Sequence, residues 1–417
     1  MRSSLLTASL MISTLLPSGS ASPLPAGNAA KTGLSVEGLG RMHALIEGYV
    51  ERGEMAGLVT LIARDGKIVD LRTYGFRDLE ARLPMERDTL FRMASMTKMV
   101  TAVAVLTLYD DEKIGLDDPV SKYLPAFEQM RVVTGGDEAH PKSETARPIT
   151  IRHLLTHTSG IAVGGPHAEI LKTRYGHALV PDYPVLKDLV KEISQLELCN
   201  QPGDAIHYGG GFEVLGYLVE VVSGRPFDAY VRERVTGPLG MNDTFFQVPK
   251  EKQPRLAQTY VHEGKKLSRR NSSTLPYYLG GVGCPRGSSG LVSTADDFAR
   301  FGQMLLNGGE LGGVRILRAK TVQMMTSDQL ATLKEKNTFQ QPFESYGFGV
   351  SVRLPVSDAP PGSPGQFGWS GAWTTYCSMN PKERTISILL SQHAPWNEDD
   401  IFAKFEAASY RAVEAKK

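Results

Sequence analysis

The chain contains 417 residues, of which 41% are hydrophobic and 22% are charged. These values are typical of a globular protein of two or three domain-sized pieces, whose core is large enough to be stable without disulfides or a structural metal. The formal net charge is only +1. Nothing in this charge balance indicates nucleic acid or an anionic membrane surface as a partner, and we expect neither.

The first residues form a separate segment. One early arginine, Arg2, is followed by an apolar stretch from Leu5 to Leu16 and then by small residues. This order is typical of a secretory signal peptide, which we place at residues 1–21 with cleavage near Ala21. A frayed or membrane-anchored terminus is the alternative, but the apolar stretch is too short to span a bilayer. The sequence therefore predicts a secreted or periplasmic protein without stable membrane insertion.

After this segment, apolar periodicity predicts a helix over Val36 to Glu51, followed by the strands "GLVTLIA" and "KIVDLRTYG". The Asp65-Gly66 pair between the strands is a hairpin signal. The middle of the chain, residues 93–330, predicts helices separated by loops rich in Gly and Pro. Three of these helices have recognisable ends: Thr150 to Gly160, Phe212 to Val222 with a stop at Gly224, and a helix from the N-cap Thr294 to Gly308.

The C-terminal part returns to strands. Three consecutive strand-like runs, "YGFGVSVRL", "QFGWSGAWTTYCSMN" and "RTISILLSQH", precede a helix predicted from about Asp399 to Ala415, and residues 380–383 form the turn between the second and third runs. Consecutive strands with short turns form antiparallel sheets. We therefore predict an α+β fold. Residues 30–92 and 331–417 form one antiparallel sheet domain flanked by the N- and C-terminal helices, residues 93–330 form a mainly helical domain, and a ligand cleft lies between them.

The stretch "RMASMTKMVTAV" places Ser95 three residues before Lys98, at the start of an almost wholly apolar helix. Positions i and i+3 share a helix face, so the hydroxyl and the amine can touch. An apolar environment disfavours an ammonium ion, so a buried amine can accept the proton of a hydroxyl, while the helix N-terminus stabilises a negative oxygen. The pattern thus suits a nucleophile and its base, although the same spacing also arises where a serine caps a helix and a lysine reaches solvent.

Two further stretches contain candidate site residues. Tyr208 precedes three glycines and a helix, a position from which its phenol can reach a cleft and act as a general base beside an ammonium group. In "GWSGAWTTY", Gly368 and Gly371 within a strand indicate close approach of a ligand to the backbone, and the N–H of Ala372 is the best placed to complete an oxyanion hole. A core tyrosine and a packed aromatic strand are the structural alternatives.

The cysteines Cys199, Cys284 and Cys377 are far apart, and the sequence contains no metal-binding spacing. We predict buried free thiols, with one disulfide possible after export. We expect no metal and no organic cofactor.

Together these residues resemble the serine β-lactamase and penicillin-binding-protein superfamily. Within it the sequence is most similar to the class C β-lactamase-like group, particularly the family VIII carboxylesterases. The resemblance covers residues 36–410 approximately and implies a β-lactamase/transpeptidase-like fold. It rests on four segments in that group's order and spacing: "DTLFRMASMTKMVTAVAVLTLYDDEKIGLDDPVSKYLP", "ITIRHLLTHTSGI", "GFEVLGYLVEVVSGRPF" and "GSSGLVSTADDFARFGQMLLNGGELGGVRIL".

The resemblance also implies roles for individual residues. Ser95 corresponds to the acylated nucleophile, Lys98 to its activating lysine, and Tyr208 to the tyrosine of the Tyr-x-Asn motif. The family's oxyanion hole would consist of the backbone N–H groups of Ser95 and Ala372. The implied substrate-binding positions are Gly210, Trp369, Ser370 and Gly371.

Two motifs depart from the β-lactamase pattern. Tyr-x-Asn reads Tyr208-Gly209-Gly210, and Lys-Thr-Gly reads Trp369-Ser370-Gly371. The missing lysine removes a charge-assisted contact with a β-lactam carboxylate, which contributes about 1.5–3 kcal/mol. An indole instead offers apolar surface. The resemblance therefore implies a serine carboxylesterase that cleaves small neutral esters through an acyl-enzyme on Ser95.

Several alternatives stay open. On the same scaffold the chain could be a β-lactamase, a D-amino-acid peptidase, an amide hydrolase or an acyltransferase, and a non-enzymatic alternative is an inactive penicillin-binding-like module. An α/β-hydrolase is less favoured. Its nucleophile would be the serine of "GWSGA", which must lead into a helix, whereas the following residues are typical of a strand. His153, His157 and Ser159 suggest a triad, but we interpret them as structural, and His207 as a residue that could touch the cleft. The oligomeric state is open.

Overall fold

The computed structural model describes residues 21–179, 183–264, 266–270, 275–333, 344–355 and 362–413. The predicted signal peptide lies outside the described residues except for Ala21. No helix among the described residues is both long enough and apolar enough to cross a membrane.

The strands come from both ends of the chain and from short hairpins in its middle. They are β1 (Gly57–Arg64), β2 (Lys67–Asp78), β3 (Leu83–Pro84), β4 (Phe91–Arg92), β5 (Arg131–Gly136), β6 (Pro141–Thr145), β7 (Tyr260–Glu263), β8 (Lys266–Arg269), β9 (Val292–Ser293), β10 (Glu310–Leu311), β11 (Val314–Arg315), β12 (Glu344–Tyr346), β13 (Ser351–Arg353), β14 (Phe367–Gly371), β15 (Thr375–Asn380), β16 (Thr385–Ser391) and β17 (His393–Ala394). One antiparallel sheet has the order β12-β13-β14-β15-β16-β1-β2-β3, so β1 pairs directly with β16.

The helices lie mostly between these two groups of strands. They are α1 (Val36–Glu51), α2 (Thr97–Asp110), α3 (Ile151–Leu155), α4 (Ala168–Leu179), α5 (Leu186–Ile193), α6 (Gly211–Ser223), α7 (Phe227–Val231), α8 (Leu275–Tyr278), α9 (Ala295–Leu306), α10 (Ala319–Met325) and α11 (Ile401–Ala412).

Helices cover both faces of the sheet. The terminal helices α1 and α11 pack together on one face, and α9 packs against β1 and β16. Alternate side chains of β1 enter two cores: Leu58 and Ile62 lie in the cluster with α1 and α11, whereas Val59 and Leu61 lie in the large core shared with the helical region. This alternation is the period-2 pattern of a strand buried on both sides. The predicted α+β fold with an antiparallel sheet and flanking terminal helices is confirmed.

Local signals explain where several elements begin and end. The side chain of Ser35 accepts the Gly38 N–H at 3.1 Å and so starts α1 at the predicted residue. Asp65 and Gly66 have φ of +49° and +75°, which is the left-handed backbone that a two-residue hairpin requires. Gly224 ends α6 with φ of +69°.

Three sequence-based predictions of element boundaries were wrong. Residues 366–380 form a hairpin rather than one strand, because the chain reverses after Gly371 and Thr374 adopts φ of +54°. The run 346–354 is likewise split between β12 and β13. The helix that begins after Thr150 ends at Leu155, five residues before Gly160, because His157 has φ of +59°.

All three cysteines are buried free thiols, as predicted. Burial raises the pKa of Cys199 to about 12 and that of Cys284 to about 11, so neither is a reactive thiolate at neutral pH.

Candidate active site

Ser95 lies in a tight turn between the sheet and the buried helix α2. The preceding residue, Ala94, has φ of +46°, and the 3₁₀ turn Ala94–Met96 leads directly into α2. A left-handed alanine costs about 1–2 kcal/mol, and such strain is typical of functional turns. The turn presents the Ser95 hydroxyl to a cavity while α2 beyond it is buried on all sides from Thr97 to Leu108.

Three of the predicted site residues meet around the Ser95 hydroxyl. The Tyr208 hydroxyl donates to Ser95 Oγ at 2.7 Å, and Lys98 Nζ donates to the same oxygen at 3.4 Å. Lys98 Nζ also lies 4.5 Å from the centre of the Tyr208 ring. A hydroxyl, a phenol and an amine within mutual reach form a proton-transfer network, which is what activation of a serine requires.

A buried polar chain holds Lys98 from behind. Lys98 is 2% exposed and donates to the Ser288 carbonyl oxygen at 2.9 Å. The Ser288 hydroxyl in turn donates to the buried Glu213 carboxylate at 2.5 Å. Glu213 therefore fixes the peptide that orients the lysine, since Ser288 contacts both side chains. Sequence reasoning missed both Glu213 and Ser288, although a glutamate inside the apolar stretch "GFEVLGYLVEVV" was a usable signal.

His157 belongs to an aromatic cluster behind the phenol. Its ring centre is 4.7 Å from that of Tyr208 and 6.0 Å from that of Trp369, to which it is nearly parallel. Burial and the Lys98 charge lower the pKa of His157 to about 3, so the imidazole is neutral. Within the described residues its Nε2 has no hydrogen-bond partner. It therefore packs against Tyr208 as a neutral ring.

The other residues of that histidine-rich segment have local contacts. The His153 side chain accepts the Thr150 N–H at 3.2 Å while its own N–H donates to the Thr150 hydroxyl, so it caps α3. The Ser159 hydroxyl accepts the Ile161 N–H at 3.3 Å. These contacts agree with the structural interpretation of both residues. The backbone N–H of His207 donates to the His157 carbonyl at 2.8 Å, next to the site.

Strand β14 and the residue that follows it bring Trp369, Ser370 and Ala372 to the cavity that contains Ser95 and Tyr208. The Trp369 ring lies 6.1 Å from that of Tyr208 at an angle of 20°. Gly371 is buried, and a Cβ there would lie 2.3 Å from the Met93 carbonyl oxygen, just before the Ser95 turn. Only a residue without a side chain lets the strand approach the turn this closely.

Gly210 has a different place from the other predicted site residues. It is buried at the start of α6, does not line the cavity, and its N–H donates to the Ile161 carbonyl at 3.0 Å. Its amide is therefore used within the fold.

One group of potential metal ligands exists among the described residues, and it lies outside the cavity. His262 Nδ1 and His393 Nε2 are each 2.7 Å from the same Glu398 oxygen. Two imidazole N–H groups that donate to one carboxylate account for this arrangement.

Comparison with known proteins identifies the family of the chain. The Beta-lactamase family matches residues 42–412, and the chain belongs to that family. Protein Rv1367c of Mycobacterium tuberculosis is 35% identical over 85% of this chain and 90% of that protein. Esterase EstB of Burkholderia gladioli is 32% identical over 62% of this chain and 68% of its own length.

Two solved structures agree with this family assignment. EstCE1, described as a hydrolase with promiscuous acyltransferase activity, has a TM-score of 0.75 at 26% identity and covers 91% of this chain and 100% of its own. A mutant of simvastatin synthase (LovD) from Aspergillus terreus has a TM-score of 0.76 at 26% identity, over 91% of this chain and 98% of its own. The predicted superfamily and its β-lactamase/transpeptidase-like fold are confirmed. The superfamily is of the serine hydrolase type and includes esterases and acyltransferases.

Proposed function

We propose that this protein is a serine carboxylesterase that cleaves small-molecule esters through an acyl-enzyme on Ser95. The observation that carries the proposal is the contact of the Ser95 hydroxyl with both the Tyr208 hydroxyl, at 2.7 Å, and Lys98 Nζ, at 3.4 Å, at the mouth of a cavity. The 32% identity to an esterase and the fold shared with EstCE1 support the choice of ester chemistry.

The reaction has two steps. In the first, the Ser95 proton passes to the Lys98–Tyr208 pair while Ser95 Oγ attacks the ester carbonyl carbon. The backbone N–H groups of Ser95 and Ala372 hold the negative oxygen of the tetrahedral intermediate, and the alcohol leaves with a proton from Tyr208. In the second step water attacks the acyl-enzyme, Tyr208 takes its proton, and Ser95 regains one as the acid departs.

The side chain of Trp369 supports the proposal that the substrate is neutral. Its indole occupies the position of the lactamase lysine and stacks against Tyr208, so the cavity wall beside the nucleophile is aromatic. An anionic substrate would lack the cationic contact, which contributes about 1.5–3 kcal/mol where it exists. A neutral ester loses nothing by this replacement and gains apolar contact.

A second candidate is acyl transfer to an alcohol other than water. EstCE1, which is named for promiscuous acyltransferase activity, shares the fold over 91% of this chain. The cavity of about 660 Å³ has room for an acceptor beside an acyl group. Transfer and hydrolysis share the first step and differ in what attacks the acyl-enzyme. β-Lactamase, peptidase and amidase activities, and an inactive binding module, are the remaining alternatives.

Initial rates on p-nitrophenyl butyrate and nitrocefin test the proposal. We expect ester hydrolysis by the wild type with little nitrocefin cleavage. Ser95→Ala should lower kcat by at least about 10³-fold and Lys98→Ala by about 10²–10⁴-fold. Lys122→Ala is the matched control, because Lys122 is an exposed surface residue. Dominant nitrocefin cleavage, or ester turnover that survives Ser95→Ala, would overturn the proposal.

A further inference from the structure

The cavity extends well beyond the residues that the proposed ester cleavage uses. Its floor continues from Ser370 along β14 to Gln366, four residues away. At about 3.3 Å per strand residue this is roughly 13 Å. Butyrate fills only the first few ångströms. The remaining length is available to a longer acyl group.

The first part of this extension is apolar. Tyr346 and Trp369 line it with ring centres 5.4 Å apart, and Ile206 and Leu330 pack behind them. Tyr376 and Phe402 of α11 also line the cavity, and their rings stack at 5.0 Å. A hydrocarbon chain attached to the carbonyl at Ser95 could contact these aromatic side chains.

The far end is polar and charged. Glu344, Arg353, Gln366, Ser378 and Glu406 all line it. Arg353 pairs with Glu406 at 3.7 Å, and Glu406 also accepts hydrogen bonds from the Gln366 and Ser378 side chains. We define these five residues as the distal site. Its side chains come from β12, β13, β15, α11 and the residue before β14, so the site forms only when both sides of the cavity are assembled.

Glu344 differs from the other members of the distal site. Within the described residues its carboxylate has no hydrogen bond or ion pair, although it faces Arg353 across the β12–β13 ladder. Burial and the charge of Glu406 raise the pKa of Glu344, and burial raises that of Glu406. Glu344 and Glu406 both interact electrostatically with the Arg353 guanidinium, and Asp400 is a further acidic residue that lines the cavity. Burial favours the protonated form of these carboxylates, and a bound cation beside them would favour the charged form.

We propose that the distal site binds a cationic nitrogen at the far end of the substrate's acyl chain, with Glu344 as its ion-pair partner. This inference rests on the proposed esterase function and adds a substrate class to it: esters whose acyl chain is long and apolar and ends in an ammonium group. A terminal carboxylate would meet the carboxyl groups of Glu344 and Glu406, and we expect it to bind less well. A terminal hydroxyl can donate a hydrogen bond but supplies no charge.

The test compares p-nitrophenyl esters of ω-aminoundecanoic and ω-hydroxyundecanoic acid, whose chains of about ten carbon–carbon bonds span the extension. We expect the wild type to prefer the amino ester at least about tenfold in kcat/KM. In Glu344→Gln the preference should fall to about one. The ratio is taken within each variant, so a general loss of activity or of folded protein cancels. Glu47→Gln, an exposed change on α1, should keep the wild-type ratio.

The outcomes separate the two proposals. If the wild type hydrolyses neither p-nitrophenyl acetate nor the long esters, the esterase function itself is wrong. If it hydrolyses acetate but shows no preference for the amino ester, or if Glu344→Gln retains that preference, the cationic distal site is wrong. Equal use of the amino and hydroxy esters, both lost in Glu344→Gln, would also overturn it, because the site would then bind a neutral donor.

Discussion

Gly371→Ala tests how closely β14 must approach the turn that carries Ser95. A Cβ at this position would lie 2.3 Å from the Met93 carbonyl oxygen and 2.3 Å from Thr375 Oγ1. The Thr375 hydroxyl can rotate, but the Met93 carbonyl is backbone and accepts a hydrogen bond from that same hydroxyl at 3.1 Å. The methyl group is therefore accommodated only if the strand and the turn move apart.

The size of the effect follows from these distances. Ordinary contact begins at 3.4 Å, so the gap must widen by about 1 Å. The two N–H groups of the proposed oxyanion hole, on Ser95 and Ala372, belong to the two segments that separate. A misplacement of about 1 Å can cost 10²-fold in rate, and the loss of one oxyanion donor costs about 10²–10³-fold. Overpacking lowers the free energy of unfolding by about 1–3 kcal/mol.

The assay is kcat/KM on p-nitrophenyl butyrate at a temperature where thermal melting shows the variant to be folded. We expect a fall of about 10²–10³-fold. Gly40→Ala is the control, because no atom lies within 4 Å of a Cβ there, and it should leave the rate unchanged. Folded Gly371→Ala with a kcat/KM within about threefold of wild type would refute the role given to the two amides.

Three further changes give separate tests. Tyr208→Phe removes the hydroxyl that donates to Ser95 Oγ at 2.7 Å and should lower kcat by about 10²–10⁴-fold; wild-type turnover would contradict the proton-transfer role. His157 keeps a pKa of about 3 when folded against 6.5 when unfolded, so the unfolded chain binds the extra proton and the free energy of unfolding falls by about 1.4 kcal/mol per pH unit as pH drops from 6.5 to 3. His157→Asn, which tolerates the left-handed backbone, should remove that part of the slope in denaturant titrations, and an unaltered slope would argue against a neutral buried ring. Asp297 has the opposite sign: burial raises its pKa from 3.8 to about 6, so about 3 kcal/mol of stability is lost as pH rises from 4 to 6. Asp297→Asn should abolish this loss, and equal pH dependence in both proteins would count against it.

The parts of the fold that the sequence predicted are those with local causes. Helix α1 begins at Val36 because Ser35 caps it, and α6 ends at Ser223 because Gly224 follows with a left-handed backbone. The β1–β2 hairpin likewise depends on two adjacent residues. Such signals lie within a few residues of the boundary they set, so a single sequence contains them in full.

The hairpin within 366–380 shows where local signals end. Its residues are aromatic and β-branched, as in a single long strand. The reversal after Gly371 is imposed by the Ser95 turn, with which Thr375 makes its contact at Met93. That partner is 282 residues away in the chain, and no pattern near Gly371 encodes it.

The residues of the candidate site also divide into those predictable from local sequence and those that depend on distant contacts. Ser95, Lys98 and Tyr208 belong to short motifs and could be predicted from them. Glu213 and Ser288 support Lys98 only through contacts distant in sequence: Glu213 and Ser288 are 75 residues apart, and Ser288 and Lys98 are 190 residues apart. The distal site is likewise not encoded locally, since Glu344 belongs to β12 and Glu406 to α11.

The pairing of β1 with β16 has a consequence for synthesis of the chain. Leu58 pairs with Ser391, 333 residues later, so the central strand β1 lacks one neighbour until β16 has left the ribosome. Until then one backbone edge of β1 is unpaired, although every residue of this strand is buried in the folded protein. An exposed apolar strand edge of this kind promotes aggregation. High contact order also slows the final pairing. Synthesis of β16, rather than growth of the N-terminal segment, therefore sets when the core can close, and a ribosome-stalled chain that ends before Thr385 should remain protease-sensitive throughout.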